Sequence, residues 1–406
     1  MRILHTSDWH LGQHFMGKTR QDEHQAFVAW LVDQVEAHQV DAVLIAGDIF
    51  DTGAPPSYAR EIYNALIVSL HDTGAQLVVL AGNHDSVATL GESKHLLARL
   101  GTHVIPAVAD SLESQLLVLK NRAGQAAALL CAIPFIRPRD VMQSQAGQSA
   151  EEKQLSLKEA IHAHYQQLYA LAEARRTQYE TRLPIVATGH LTTVGASASE
   201  SVREIYVGSL EAFPTAAFPP ADYIALGHIH RPQKVGGLEH IRYCGSPIPL
   251  SFDELGQRKE VLLVDLDETG LQHVTALPVP LFQPLASVKG TLAELGPAIQ
   301  AAAESALPGH PTWLEVTVKG DDYLSDLQPR IQALTEGLPV EVLRIRRDRS
   351  EVAARLHAEA KVTLDELSPD DVFAKRLEQE ELPEALAQQL KQRYQGIVAL
   401  LREGSA

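Results

Sequence analysis

Up to His230 this 406-residue chain repeats one device five times: an apolar run ends at a small residue, and an Asp, Asn or His follows at once. The runs are RIL before HTSDWH, AVLIA before GDIFD, LVVLA before GNHD, PIVAT before GH and YIAL before GHIH. Runs of this length, rich in β-branched residues and bounded by Gly, predict strands. Between them EHQAFVAWLVDQVEAH and SYAREIYNALIVSLHDTG predict helices, the second with Tyr58, Ile62, Leu66 and Leu70 at helical spacing. Strand and helix in alternation predict an α/β domain, and open α/β sheets gather their sites at the carboxyl ends of strands. All five motifs stand at such ends.

A chain of 406 residues exceeds the usual single core. The main domain is expected over residues 1–282, closed by a β-hairpin in VLLVDLDETGLQHVTAL with Thr269-Gly270 at the turn. Within it a long polar helix, read as a solvated packing helix, is expected over about Ser149 to Arg182. PVPLFQPL, with its three prolines, predicts a linker to a small β-α-β-α-β domain over 283–348. From 349 to 406 the chain reads as helical and charged, with Leu364, Leu367, Phe373, Leu377, Leu386, Leu390 and Leu400 as its apolar positions. Such a tail needs a cover, either its own domain or a partner protein.

Cys131 and Cys244 are too few for a disulfide framework or a thiolate zinc site. The start MRILHTSDWH lacks a signal-peptide pattern, and no run approaches the ~20 apolar residues of a membrane span. The expected address is therefore the cytoplasm. A formal charge of -16 opposes tight binding of nucleic acid by this chain alone, because such affinity comes from cations that displace counterions. Bound divalent metals or a basic partner would offset it.

The motifs offer Asp8 and His10, Asp48 and Asp51, Asn83, His84 and Asp85, His190, and His228 and His230. A lone His or Asp at a strand end is more often a cap or a surface residue; five in register have no comparable structural account. Carboxylate, imidazole and amide oxygen without thiolate suit manganese, iron, zinc or magnesium, with Mn2+ the first choice. The set suffices for two divalent ions about 3.5 to 4 Å apart, sharing one carboxylate, the arrangement that serves in-line displacement at phosphorus. Asp48 is the natural bridge, and the glycines before Asp48, Asn83, His190 and His228 are expected to leave space for the metals and for a phosphate.

In order and spacing these residues resemble the signature of the calcineurin-like metallophosphoesterases, D-x-H, G-D-x-x-D, G-N-H-D/E, G-H and G-H-x-H. HTSDWHLGQ, GDIFDTGAPPSYAR, VVLAGNHDSVATL, PFIRPRD, ATGHLTTVGAS, YIALGHIHRPQ and YCGSPIPLSFDE extend the likeness, within that superfamily, to a branch of DNA nuclease subunits. The resemblance implies a four-layer α-β-β-α sandwich with a small α+β capping domain and C-terminal helices. It implies one metal on Asp8, His10, Asp48 and His230 and another on Asp48, Asn83, His190 and His228, with a metal-bridging water attacking phosphorus. His84, left without a metal, would stabilise or protonate the leaving oxygen, oriented by Asp51.

Two departures qualify that picture. Archaeal members carry His where this chain has Asp51, and protein phosphatases follow that Asp with a phosphate-clamping Arg where this chain has Thr52. The implied substrates are DNA ends and hairpins, cut by double-strand exonuclease and single-strand endonuclease activity in repair, recombination and replication. Arg137, Arg139, Arg203, Arg231 and Arg242 are candidate DNA contacts, and the loop after His190 is expected to reshape on engagement. The resemblance further implies a large ATPase partner bound through the C-terminal helices, nucleoid association, and a homodimer made through Tyr58 to Leu70 and Val87 to Leu100; periodicity alone reads these two segments as core packing. The competing readings are a small-molecule or cyclic-nucleotide phosphodiesterase on the same centre, and a non-catalytic scaffold.

Overall fold

The computed structural model describes residues 1–109, 111–142, 149–197, 212–319, 326–348, 388–391 and 393–394. Its first strands are β1 (Arg2–Thr6), the short pair β2 (His14–Phe15) and β3 (Lys18–Thr19), β4 (Ala42–Ala46), β5 (Gln76–Leu80), β6 (Thr102–Ile105) and β7 (Leu116–Lys120). There follow β8 (Ala126–Cys131), β9 (Ile185–His190), β10 (Tyr223–Gly227), β11 (Gln233–Lys234), β12 (Ile241–Tyr243), β13 (Glu260–Asp267) and β14 (Gly270–Pro278). The helices between them are α1 (Gln21–Ala37), α2 (Ser57–Thr73), α3 (Val87–Gly91), α4 (Lys94–Leu97), α5 (Pro138–Val141) and α6 (Ala150–Arg176).

Two six-stranded sheets result, ordered β14-β13-β1-β4-β5-β6 and β11-β12-β10-β9-β8-β7. In the first, β1, β4, β5 and β6 run parallel while β13 lies antiparallel on β1, Arg2 opposite Asp265. In the second, β8, β9, β10 and β12 are parallel, with β7 and β11 antiparallel at the edges. The runs AVLIA, IVATGH and YIALG are buried at every position. A sheet covered on both faces demands continuous rather than alternating apolar residues, which is what these runs supply.

Three packed layers of side chains separate four layers of backbone. Ile3, Leu44, Val78, Leu130, Val186, Ala225 and Val264 fill the space between the sheets. Phe27 and Leu31 of α1 and Leu66 and Leu70 of α2 pack outside the first sheet, and Ile161, Tyr165 and Leu168 of α6 outside the second. The protein is thus the expected α-β-β-α sandwich. The long helix starts as predicted, with Ser149 accepting from the Glu152 amide, but ends at Arg176, short of Arg182. Core packing is what α2 does, through Ala59, Ile62, Tyr63, Leu66, Ile67 and Leu70.

The predicted hairpin forms as β13–β14, yet its turn is one residue earlier than expected. Asp267 pairs with Gly270, so Glu268-Thr269 make the turn and Gly270, at φ 114°, opens the returning strand against Asp222. The segment expected to form a small domain has its elements in the predicted order, β15 (Leu285–Gly290), α7 (Leu292–Ala303), β16 (Thr312–Val318), α8 (Leu327–Thr335) and β17 (Val340–Arg347), with sheet order β15-β16-β17. Met1–Val318 and Asp322–Arg346 form one compact unit. Inside it Phe15 stacks on Trp313 at 5.7 Å and meets Phe252 edge-on at 5.0 Å, while the Arg344 guanidinium lies 5.5 Å over Phe252. A second unit, Lys319–Asp321 with Arg347–Ala406, falls almost wholly outside the described residues, and with it the predicted helical tail. No helix among the described residues is long and apolar enough to cross a membrane.

Candidate metal centre

The carboxyl ends of β1, β4 and β5 in one sheet face those of β9 and β10 in the other, and the five motifs meet in the crevice. Close approach is written into the backbone: Asp8 N bonds Gly47 O at 3.0 Å, and Trp9 N and His10 N both reach Asp48 O, at 2.9 and 3.1 Å. The resulting turns are strained. Of the six non-glycine residues with positive φ among those described, four are candidate ligands, Asp8 (56°), His10 (49°), Asp48 (51°) and His228 (93°). Left-handed backbone at Asp or His persists only where surrounding structure imposes it, and it clusters at functional sites.

Three groups of side chains bring ligand atoms within 4.8 Å of one another: Asp8, His10 and His230; Asp48, His190 and His228; and His10, Asp48 and His84. Asp48 Oδ2 stands between the first two groups, 3.2 Å from His190 Nε2 and 3.7 Å from His10 Nε2. Asn83 Oδ1 joins the second, 2.9 Å from His190 Nε2 and 3.2 Å from His228 Nδ1. His10 Nε2 is buried without a hydrogen-bond partner. A buried ring nitrogen left in that state, among carboxylates, fits a divalent cation. The centre is therefore a divalent-metal site by its donors and their convergence.

Electrostatics agree. Burial opposes a charge on His190, but the Asp48 carboxylate outweighs it and holds the imidazole at about 9. His10 is likewise raised against its burial, by the Asp51 hydrogen bond and the charges of Asp48, Asp51 and Asp8. Asp48 itself stays well below the usual carboxylate range despite burial, because His190 and His10 face it. His228 is depressed by burial and by His190, so it presents a neutral ring. A cleft that draws protons onto buried imidazoles is one that cations would occupy in their place.

The supporting contacts fix each ligand. Asp8 accepts from Ser7 Oγ at 2.5 Å and from His228 N at 2.9 Å. His190 Nδ1 faces the Ala46 carbonyl at 2.9 Å; a carbonyl only accepts, so a proton sits on Nδ1, and Nε2 is the atom turned to Asn83 and Asp48. Asp85 receives the amides of Gly82 at 2.8 Å, Phe50 at 3.0 Å and Ile49 at 3.2 Å, tying the loop of Asn83 to that of Asp48. Burial, with the Asp48 charge, pushes its carboxyl up to about 6 against those three bonds. Behind His230 lie Glu254, 3.2 Å from Nδ1, and Lys259, 2.6 Å from Glu254, both buried; burial disfavours the Glu254 charge, but His230 and Lys259 together hold it far below the carboxylate range.

The expected space at the glycines serves another purpose. A Cβ on Gly47 would sit 2.1 Å from His190 Nδ1 and one on Gly82 2.1 Å from Asp48 Oδ1, so both positions make room for neighbouring ligands. His84 N donates to Asp48 Oδ1 at 2.9 Å, and its ring stands 4.6 Å from that of His10. Asp51 reaches both rings: its backbone carbonyl lies 2.7 Å from His84 Nδ1, its carboxylate 3.1 Å from His10 Nδ1.

The four candidate arginines among the described residues have separate partners. Arg137 is nearest, 3.0 Å from the Asp85 carbonyl and 5.5 Å over the Phe135 ring. Arg139 is exposed beside Asp140, Arg231 reaches Ser197, and Arg242 pairs with Glu239. Arg203 and most of the loop after Ser197 lie outside the described residues. Sequence reading missed Lys259, and it left Glu254, the last residue of YCGSPIPLSFDE, and Asp85 without a role.

The calcineurin-like phosphoesterase profile matches residues 1–232, and that of the Type 5 capsule protein repressor C-terminal domain matches residues 281–381. SbcD, a component of the SbcCD nuclease of Escherichia coli, is 53% identical over 391 residues, 96% of either chain. Its counterpart in Rhodobacter capsulatus is 35% identical over 92% of this chain and 94% of its own. That of Bacillus subtilis is 31% identical over 65% and 66%.

Proposed function

Because the chain belongs to the calcineurin-like phosphoesterases and, within them, to the SbcD family, we propose that it is the metal-dependent DNA nuclease subunit of an ATP-driven complex that processes DNA ends and hairpins. The observation that carries this reading is the convergence of ligand atoms from five strand ends on either side of Asp48. Asp8, His10, Asp48 and His230 would hold one ion, and Asp48, Asn83, His190 and His228 the other, with Mn2+ the ion best suited to this donor set. Two such ions, when bound, lower the pKa of water and offset the charge that builds on the phosphate oxygens.

The chain's own residues do the rest. His84 donates through Nδ1 to the Asp51 carbonyl, which puts the ring's remaining acid–base capacity on Nε2, suited to the leaving oxygen. Arg137, anchored on the Asp85 carbonyl, is the cation best placed to steer a backbone phosphate; Arg139, Arg203, Arg231 and Arg242 are secondary candidates. With a charge of -16, this chain would rely on a partner for most of its DNA affinity. That partner is an SbcC-type ATPase, taken up by the 349–406 tail, with 283–348 as capping domain on the 1–282 nuclease domain. A homodimer through α2 and α3–α4, in the cytoplasm at the nucleoid, completes the reading; Val68 and Leu96 are exposed there.

The test is cleavage of end-labelled hairpin and linear duplex DNA with and without Mn2+ and the ATPase partner. Metal-dependent cutting of both substrates is expected. Turnover of small phosphodiesters alone, unaffected by competing DNA, would instead make this a small-molecule phosphodiesterase.

A further inference from the structure

Behind one wall of the centre sits a buried polar cluster built on Glu254 and Lys259. Glu254 Oε1 lies 3.2 Å from His230 Nδ1, while Oε2 accepts from Lys259 Nζ at 2.6 Å, from the Leu250 amide at 3.0 Å and from Ser246 Oγ at 3.3 Å. Lys259 Nζ also donates to the His230 carbonyl at 3.0 Å and to Ser246 Oγ at 2.9 Å, and Ser246 N returns to that same carbonyl at 3.1 Å. The Glu254 side chain is fully buried and that of Lys259 nearly so. His230 is thus gripped twice, at its ring by Glu254 and at its backbone by Lys259.

Removing two charges from water is unfavourable unless they are paired and their remaining hydrogen bonds satisfied. Two of the pair's contacts, one from each member, run to His230, Glu254 Oε1 to its ring and Lys259 Nζ to its carbonyl. A pair placed only for stability has no reason to single out a ligand. Resting on the metal-centre reading above, we infer that Glu254 is a positioning residue: its carboxylate fixes His230 as the Nδ1–H tautomer, turning Nε2 toward Asp8 and His10, and Lys259 holds that carboxylate in place. Carboxylates behind ligating imidazoles set ring orientation and raise basicity, and losing one typically weakens ion binding about 10- to 100-fold.

The test uses the full chain and Mn2+ alone, titrated by calorimetry after metal stripping. Wild type should bind two ions. In Glu254→Gln one of the two should bind about 10-fold more weakly or worse and the other unchanged. Since that variant leaves the Lys259 charge buried alone, Glu254→Leu/Lys259→Met, which removes both charges, serves as the second variant and should show the same selective loss. Nitrogen-15 NMR of the stripped protein should find His230 as the Nδ1–H form in wild type and a tautomer mixture in the double variant. A lowered unfolding temperature with both Mn2+ affinities and the tautomer unchanged would make the cluster merely structural and overturn the inference. Wild type binding no Mn2+ would overturn the metal-centre reading, and this inference with it.

Discussion

Around Asp48 the centre divides into an Asp8–His10–His230 half, whose imidazoles are backed by the carboxylates of Asp51 and Glu254, and a His190–His228 half, whose imidazoles meet the neutral Ala46 carbonyl and Asn83 amide. Both halves draw on the same residue types at the same kind of strand end. They differ in what stands behind the ligands, and a carboxylate-backed imidazole is the more basic donor. In the proposed two-ion scheme ligand identity alone would make the positions look alike; their supports would make the first the tighter one. The first half also carries more of the strained backbone, with Asp8 and His10 both at positive φ.

Changing what the halves share should have the largest effect. Asp48→Asn, which removes the carboxylate facing both, should lower cleavage on the order of a thousand-fold or more, with both ions weakened. Loss of only one ion, measured by Mn2+ stoichiometry, would show that the halves do not share Asp48. Next comes His84, which lies in ligand range of His10 and Asp48 but belongs to neither half in the scheme above. His84→Gln should cost about 100- to 1000-fold in rate while both ions remain. If one ion leaves with it, His84 is a ligand and the division must be redrawn.

Asp51→Ala sharpens the contrast more gently. It removes the carboxylate behind His10 and should weaken one ion about 10- to 100-fold without touching the other. The smallest effect falls on the platform beneath both halves. His5 of β1 bonds Tyr223 Oη at 3.0 Å and the Leu226 carbonyl at 3.2 Å, joining the strand that leads to Asp8 with the one that leads to His228. Burial lowers its pKa to about 3 from an ordinary 6.5. On acidification the unfolded chain takes up this proton first, so stability is intact above about pH 6.5 and falls progressively toward pH 3. At pH 5 the loss should reach roughly 2 kcal/mol. Denaturant unfolding of wild type and His5→Gln at pH 7 and pH 5 would measure it as the part of the pH-dependent change that the variant lacks, since Asp85 and His190 titrate across the same window.

The converging side chains were legible because each is local: a buried strand, a small residue and a chemical group lie within a few positions, and the sandwich only has to bring five such ends together. The supports were not legible. Glu254 stands 24 positions from His230 in sequence, and it sits in SFDELG, which by composition is a surface turn. Only the fold makes it a brace. Strand β8, AAALLC, escaped for a different reason: alanine has little strand preference, and it is burial between two layers that settles its conformation. The hairpin turn was misplaced by one because Gly270 looks like a turn residue, whereas its positive φ and its crowding by Asp222 place it at the first pair of the ladder.

The pairing of β1 with β13 bears on how the protein comes to exist at all. The amino terminus bonds the Leu266 carbonyl, 265 positions away, and β1 has β13 on one side and β4 on the other. At typical synthesis rates of 5–20 residues per second, roughly 13 to 50 s separate the emergence of β1 from that of its antiparallel neighbour. Contacts so distant along the chain also slow folding, because loop closure precedes any reward. Through that interval β1, which leads to Asp8 and His10, lacks its antiparallel neighbour, so a metal taken up by this centre is best acquired late, after the ribosome has delivered β13.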